Sequence, residues 1–307
     1  FGMDFYTYKG VNSHPHNFLN QEATLWTKLW SPPTVDQSEL GKIFQILWEY
    51  VRANTPAINI THDSFIKTCA DYPSTGLVSD NTDPKTLAKL PTVASIPICN
   101  AINVSLNAHV LPHQALMNLV ALLLKPLGGT RPITLTPMLY RIICKQAFSV
   151  QHWEESRDTV HESAGKGKSA LAAALIRNIV AEVTVGCGGF VAALLNDFEK
   201  FYDHIDIPTL ILQGIKHCFP LEWLLVLVVQ HTAPRVLKAG NMLSQPIGVT
   251  SSIVAGCRCS LALTKLYLLE GVEDLRALDS KNKIYKYCDD IPITTICTTQ
   301  GVLKRIC

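Results

Sequence analysis

Two adjacent aspartates, Asp289 and Asp290, stand inside 284-IYKYCDDIPITTI-296, a stretch otherwise rich in isoleucine, tyrosine and threonine. Ile284 to Cys288 and Ile291 to Ile296 read as short strands, because β-branched and aromatic residues favour a pleated, half-buried backbone, so the acid pair falls at a hairpin corner. An aspartate in a turn is ordinary, since its side chain bonds nearby backbone. Two like charges side by side, in a chain of which only 17% is charged, ask for a further reason. A second carboxylate cluster offers one. The apolar run Phe190 to Leu195 follows the glycines of 186-GCGG-189 and reads as a central strand buried on both faces, ending in 196-NDFEKFYDHID-206. Asp197 at that strand end could serve as an N-cap, with a helix beginning near Pro208. Set beside the hairpin pair, it completes a group of hard oxygen ligands of the kind that holds two magnesium ions. Three carboxylates brought together repel one another unless cations neutralise them.

The rest of the composition narrows the setting. With 307 residues, 48% of them hydrophobic, the chain can build one large domain or two around a sizeable core. Its longest apolar runs, such as Trp223 to Val229 and Leu119 to Leu124, fall far short of the roughly 20 residues that cross a bilayer, so no membrane span is expected. The start, FGMDFYTYKG, carries no signal-peptide pattern and reads as internal. Ten cysteines without a CxxC pair, only Cys257-Arg-Cys259 being closely spaced, read as scattered reduced thiols and an intracellular chain. A net charge of +2 says little about partners, but its distribution says more. Pro84 to Trp153 contains no acid while holding Lys85, Lys89, Lys125, Arg131, Arg141 and Lys145, and a second acid-free run, Trp223 to Leu269, carries Arg235, Lys238, Arg258 and Lys265. Basic faces around a few carboxylates suit a groove that binds a polyanion.

Along the chain, residues 20–54 read as helical, with Leu25, Leu29, Leu40, Ile43, Leu47 and Val51 near helical spacing around the breaker Ser31-Pro32-Pro33. A loop containing Pro73, Gly76, Asp80, Asn81 and Pro84 follows. Helical signals return at 113–124, Pro126, Gly128 and Gly129 break the chain, and another helix is expected from Ser169 to Glu182. The string 163-SAGKGKSA-170 lacks the leading glycine of a phosphate-binding loop, and His14 with His16 has no third ligand in reach, so neither is read as a site.

Taken in order, 131-RPITLTPMLYRII-143, 197-DFEKFYDHID-206, 253-IVAGCRCSLALTKLYLLE-270 and 287-YCDDI-291 resemble the ordered motifs of reverse transcriptases, most closely the non-LTR retrotransposon (LINE-type) group. Asp197 and Asp289 lie 92 positions apart with Gly256 between them, a spacing similar to the family's. The resemblance covers roughly residues 120 to 295. It implies an α+β right-hand polymerase core with a helical N-terminal extension at 1–90, a fingers-like region at 91–189 and a palm-like region at 190–307, without a thumb. By the same resemblance Asp197, Asp289 and Asp290 are the catalytic carboxylates. They would hold two Mg2+ ions, or Mn2+ in their place, with the backbone carbonyl of Phe198 as a further ligand. Tyr202 matches the aromatic residue beneath the sugar that excludes a 2′-hydroxyl, Gly256 and Ser260 match the turn and helix start that support template and incoming base, and Arg131 matches a fingers residue near the triphosphate, with Lys125 as a further candidate for substrate binding. The implied partners are an RNA template, a DNA primer and dNTPs, and the implied location is nuclear for a eukaryotic retroelement.

The sequence departs from that pattern at one motif. Ala255 stands where the family usually has glutamine, and Arg258-Cys259 replaces the residues that follow the motif glycine. A retroelement fragment that binds nucleic acid without catalysis is the alternative this departure favours. An RNA-dependent RNA polymerase is a third reading, against which stand Tyr202 and the Tyr287-Cys288 that precedes the aspartates.

Overall fold

A computed structural model of the chain describes residues 7–8, 11–12, 14–33, 36–73, 80–125, 129–157, 162–278 and 282–297. It is a mixed α+β protein. In chain order its elements are β1 (Thr7–Tyr8), β2 (Val11–Asn12), α1 (Pro15–Trp30), α2 (Gln37–Asn54), α3 (His62–Ala70), α4 (Pro84–Ala88), α5 (Thr92–Asn107), β3 (Asn118–Leu124), β4 (Thr130–Leu135), α6 (Met138–Cys144), α7 (Phe148–Ser156), α8 (Ala170–Gly186), β5 (Phe190–Asn196), α9 (Ile207–Lys216), α10 (Leu221–His231), β6 (Arg235–Ala239), β7 (Met242–Leu243), α11 (Ser260–Leu278), β8 (Asn282–Ile284) and β9 (Ile291–Cys297). They fall into two compact units, each discontinuous in sequence: Phe1–Phe148 with Tyr202–Ser260, and Ser149–Phe201 with Leu261–Cys307. None of the described helices is long and apolar enough to cross a membrane.

The first unit is built on the sheet β4-β3-β6-β7, in which β3 runs antiparallel to β4 and parallel to β6. Alternate residues of a strand share a face, and Val120 and Leu122 of β3 with Leu237 and Ala239 of β6 turn theirs onto α1, where Phe18, Leu19, Trp26 and Trp30 complete a buried core. Ser31 closes α1 and Asp36 caps α2, so the expected helical stretch is two helices broken at the Ser-Pro-Pro segment. Several polar groups in and around this core are hydrogen-bonded to one another. The Glu22 carboxylate accepts from Trp26 Nε1 at 3.0 Å and from the Thr130 hydroxyl at 2.6 Å. Asn118 and Gln230 bond each other at 2.9 and 3.0 Å. Asn103 and Asn107 of α5 present their amides to the backbone of Ile58 and Ile60, each giving and accepting a bond at 2.8 Å as a neighbouring strand would.

Residues 113–124, expected as a helix, instead form a short 3-10 turn at His113–Ala115 followed by strand β3. Leucine and alanine favour helices by only a few tenths of a kcal/mol per residue. Pairing on both edges, with β4 and with β6, outweighs that preference.

In the second unit β5, β9 and β8 form an antiparallel sheet in that order, and α8, capped by the Ser169 hydroxyl on the Ala172 amide, packs on it. β5 was expected to be central and buried on both faces; it is an edge strand, and Leu195 is 66% exposed. An unbroken apolar run states that both faces are apolar, not that anything covers them. A buried ionic cluster anchors the hairpin arm just before its tip: Lys286 Nζ lies 3.0 Å and Lys265 Nζ 4.0 Å from the Glu162 carboxylate, and Ser163 donates its backbone N–H to the Lys286 carbonyl.

Candidate functional site

The strands of the second unit decide where its carboxylates fall. β5 pairs with β9 through seven residues, ending at Asn196↔Ile291, so Asp197 leaves one strand at the level where Asp290 enters the other. The expected hairpin is there, and its tip is tight. Tyr287 and Asp290 exchange both backbone hydrogen bonds at 2.9 Å, leaving Cys288 and Asp289 as a two-residue turn. Cys288 takes the positive φ of 53° that such a turn demands of its first central residue, and Asp289 does not. The hairpin itself therefore fixes the backbone that carries the acid pair.

The electrostatics follow from this placement. Asp289 is half-buried while Asp290 and Asp197 are exposed. Its carboxyl is raised above the ordinary value of 3.8, first by burial and then by the charges of Asp290 and Asp197. The three acids thus feel one another. Among the described residues, no group of three or more His, Cys, Asp and Glu side chains is arranged to hold a metal ion as it stands. Hard, anionic, mutually destabilising oxygens are nonetheless the donor set a divalent cation of the magnesium kind takes.

Beside them lies a cleft of about 250 Å³, lined by Ala170, Ala173, Ala174 and Arg177 of α8, by Leu195, Asn196 and Asp197, and by Tyr285, Tyr287, Asp290 and Pro292. Positions 170, 173, 174 and 177 lie one helical turn apart, so α8 offers the cleft a face of three alanines and one guanidinium. Asn196 Nδ2 donates to the Ile291 carbonyl at 3.3 Å, fixing the strand end next to Asp197. Sequence reasoning missed Arg177. Its helix was expected, and small residues at helical spacing ahead of a lone arginine were the available signal. Phe198 is exposed, its ring 5.9 Å from Phe201, which meets Tyr267 edge-on at 6.2 Å.

The remaining predicted residues belong to the first unit. Arg131 is exposed on β4 opposite Leu123, and Lys125 is exposed where its amide donates to the Gly129 carbonyl at 3.0 Å, closing the β3–β4 hairpin. Tyr202 is half-buried and its carbonyl accepts from the Ile253 amide at 2.9 Å. Gly256, at φ 87°, forms the exposed turn that precedes α11, a conformation a side chain would strain. Ser260 is buried and its hydroxyl donates to the Val254 carbonyl at 2.6 Å, clamping that same turn. Two cations of the acid-free runs do not line a groove. Arg235 is buried between Trp30, 4.5 Å below its guanidinium, and Asp203, and Lys265 is buried with Glu162 and the Glu154 carbonyl. A lack of nearby acids in sequence does not prevent an acid from arriving through the fold.

No family model matches the chain, and no curated protein is significantly similar to it.

Proposed function

We propose that the second unit carries a metal-dependent nucleotidyl-transfer site, and that the chain is a reverse transcriptase domain extending a primer on an RNA template. The observation that carries this reading is the joining of Asp197 and the Asp289-Asp290 turn at one end of the β5–β9 ladder, with the Asp289 carboxyl destabilised by its two neighbours. A pair of divalent cations bound there would neutralise the cluster, activate the primer hydroxyl and stabilise the leaving pyrophosphate. The rest falls to the chain's own residues. The tight turn holds Asp289 and Asp290 on a rigid arm. Asn196 steadies the strand end from which Asp197 projects. Arg177, facing the same cleft, supplies a guanidinium fork for phosphate oxygens. Exposed Arg131 and Lys125 on the first unit are free of ion pairing to protein acids in the described structure and are suited to triphosphate or template phosphates. Tyr202 is assigned the sugar-discriminating position on resemblance.

The test is primer extension on an RNA template with magnesium, comparing the parent chain with Asp289→Asn and Asp197→Asn. Both variants should fold and lose extension by at least about 10²–10³-fold, the scale on which removing one preorganised electrostatic contact acts. Retention of activity in either would overturn the assignment. A parent chain that binds primer–template in a salt-dependent way but does not extend it would favour the non-catalytic alternative. Where extension occurs, Tyr202→Val should raise ribonucleotide use relative to deoxyribonucleotide use without abolishing it, and unchanged sugar selectivity would remove the steric role.

A further inference from the structure

Three thiols and an imidazole gather in the core of the first unit, in no connection with the carboxylates. Cys144 ends α6, Cys257 and Cys259 flank the turn before α11, and His231 ends α10; all four side chains are buried. Cys144, Cys257 and Cys259 are in mutual side-chain hydrogen-bonding contact, and the Tyr140 hydroxyl lies 3.3 Å from the Cys257 sulfur. His231 Nδ1 accepts the Val254 amide at 2.7 Å, which places the neutral ring's proton on Nε2. That buried Nε2–H has no acceptor at ordinary hydrogen-bond distance, and it acts on Cys257.

We propose that this cluster is a peroxide-sensitive thiol site, in which Cys257 is the attacking sulfur and Cys144 the resolving one. The environments of the two differ as those roles require. Hydrogen bonds from Cys144, then Cys259, and the imidazole hold the Cys257 thiol well below its ordinary range against the effect of burial, whereas burial pushes Cys144 well above its own. Cys257 is itself buried, but it sits in a turn whose residues Ala255, Gly256 and Arg258 are exposed. An oxidant the size of water can reach it when that turn opens. The Cys257 thiolate attacks one oxygen of hydrogen peroxide and the O–O bond breaks. Cys257 becomes a sulfenic acid, and the departing hydroxide takes up the proton given up by the thiol to leave as water. The Cys144 sulfur then bonds to the sulfenic sulfur, the S–O bond breaks, and that oxygen leaves as a second water with the Cys144 proton. Two thiols are oxidised and one peroxide is reduced. Cys259 is the poorer partner for Cys257, because a bridge across a single residue closes a small strained ring. The product ties the end of α6 to the Gly256 turn.

The reduced chain, treated with hydrogen peroxide, quenched in acid, alkylated in denaturant and mapped by mass spectrometry, tests this directly. A Cys144–Cys257 linked peptide should accumulate at least about ten-fold faster than oxidation of the exposed Cys218, and in Cys259→Ser as well as in the parent. Three results would each overturn the proposal: exposed Cys187 and Cys218 oxidised while Cys144 and Cys257 remain thiols, a bridge that persists in Cys257→Ser, or zinc retained by the purified chain that blocks alkylation of the three sulfurs under native conditions. The parent measurement needs no variant to fold.

Discussion

The two units use their apolar residues in opposite ways. The first closes α1 over its sheet and ties polar groups into that core, among them a guanidinium stacked on the Trp30 indole and facing Asp203. The second sets α8 on its sheet without fully burying any residue of that helix, and leaves Leu171, Leu175, Ile176, Ile179 and Val183 in solvent along one side. Its buried apolar residues, such as Trp153, Leu263, Leu266 and Ile284, lie off that helix, beside a backbone ladder and a buried ion cluster. The carboxylates therefore sit on the unit with the smaller core. Clustered like charges cost stability, and a unit that carries them has correspondingly less to spare.

The largest effect that could break this comparison is expected at Arg235. Its head contacts Asp203 at 3.9 Å, the His231 carbonyl at 3.3 Å and the Trp30 face, while Trp30 Nε1 donates to the same Asp203 oxygen at 2.7 Å. Arg235→Ala leaves the part-buried Asp203 facing an emptied site and should cost about 3 kcal/mol in urea unfolding followed by tryptophan fluorescence. A cost below about 1 kcal/mol would mean that the first unit's order does not depend on its matched polar groups.

In the second unit the counterpart is Glu162. Removing its charge in Glu162→Gln leaves Lys286 and Lys265 buried beside an uncharged amide, with an expected loss of about 3 kcal/mol. The pH dependence carries a sign. Burial already lowers the Lys286 pKa below 10.5, partly offset by Glu162. A lowered lysine pKa means the folded chain binds that proton less tightly than the unfolded one, so stability rises with pH between the folded value and 10.5. Without Glu162 the pKa falls further, and the variant should recover stability on going from pH 7 to pH 9 more steeply than the parent. A flat difference across that range would place the cost of the substitution elsewhere.

Legibility in the sequence followed the same divide. Signals that act over a few residues were readable: the Ser-Pro-Pro break between α1 and α2, the serine that starts α8, and the hairpin at the acid pair, although its two-residue turn falls at Cys288–Asp289, one position before the expected Asp289–Asp290 corner. Signals that depend on what arrives from far along the chain were not. Residues 118–124 have helical composition and became a strand because β4 and β6 both pair with it. Phe190–Leu195 reads as buried because its residues are apolar, and ends at a sheet edge because nothing pairs with its other side among the described residues. Arg235 and Lys265 looked like members of a basic run, and Asp203 and Glu162 claim them in the fold. The site divides likewise. Its aspartates were readable from their strands, but Arg177 enters the cleft only because α8 crosses the end of β5.

A matched pair of leucine truncations sharpens the comparison further. Leu237→Ala, at a fully buried β6 position, should cost about 2–5 kcal/mol, whereas Leu175→Ala on the open side of α8 should change stability by no more than about 0.5 kcal/mol. Amide hydrogen exchange mapped by peptide gives each unit its own reading. Equal costs would show that the α8 face is covered in solution.

The smallest effect is expected at the turn itself, and it links stability to the proposed chemistry. The Asp289 carboxyl is raised by burial and by Asp290 and Asp197, so the folded chain holds that proton more tightly than the unfolded one. Stability from this group is then fully present below the unfolded value, 3.8, and is lost as pH rises through the folded one. Asp289→Asn removes the titration and the repulsion together. Its Tm should exceed the parent's at pH 7, and the advantage should vanish near pH 3 where the parent's carboxyl is protonated. Magnesium should reverse the ranking at pH 7 if the carboxylates bind it, because a cation that binds only the folded parent raises the parent's Tm by mass action and leaves the variant behind. A variant no more stable than the parent at pH 7 would show that the three acids do not strain the turn. A parent Tm indifferent to magnesium would remove the metal from the proposed site while leaving the electrostatic argument for the turn intact.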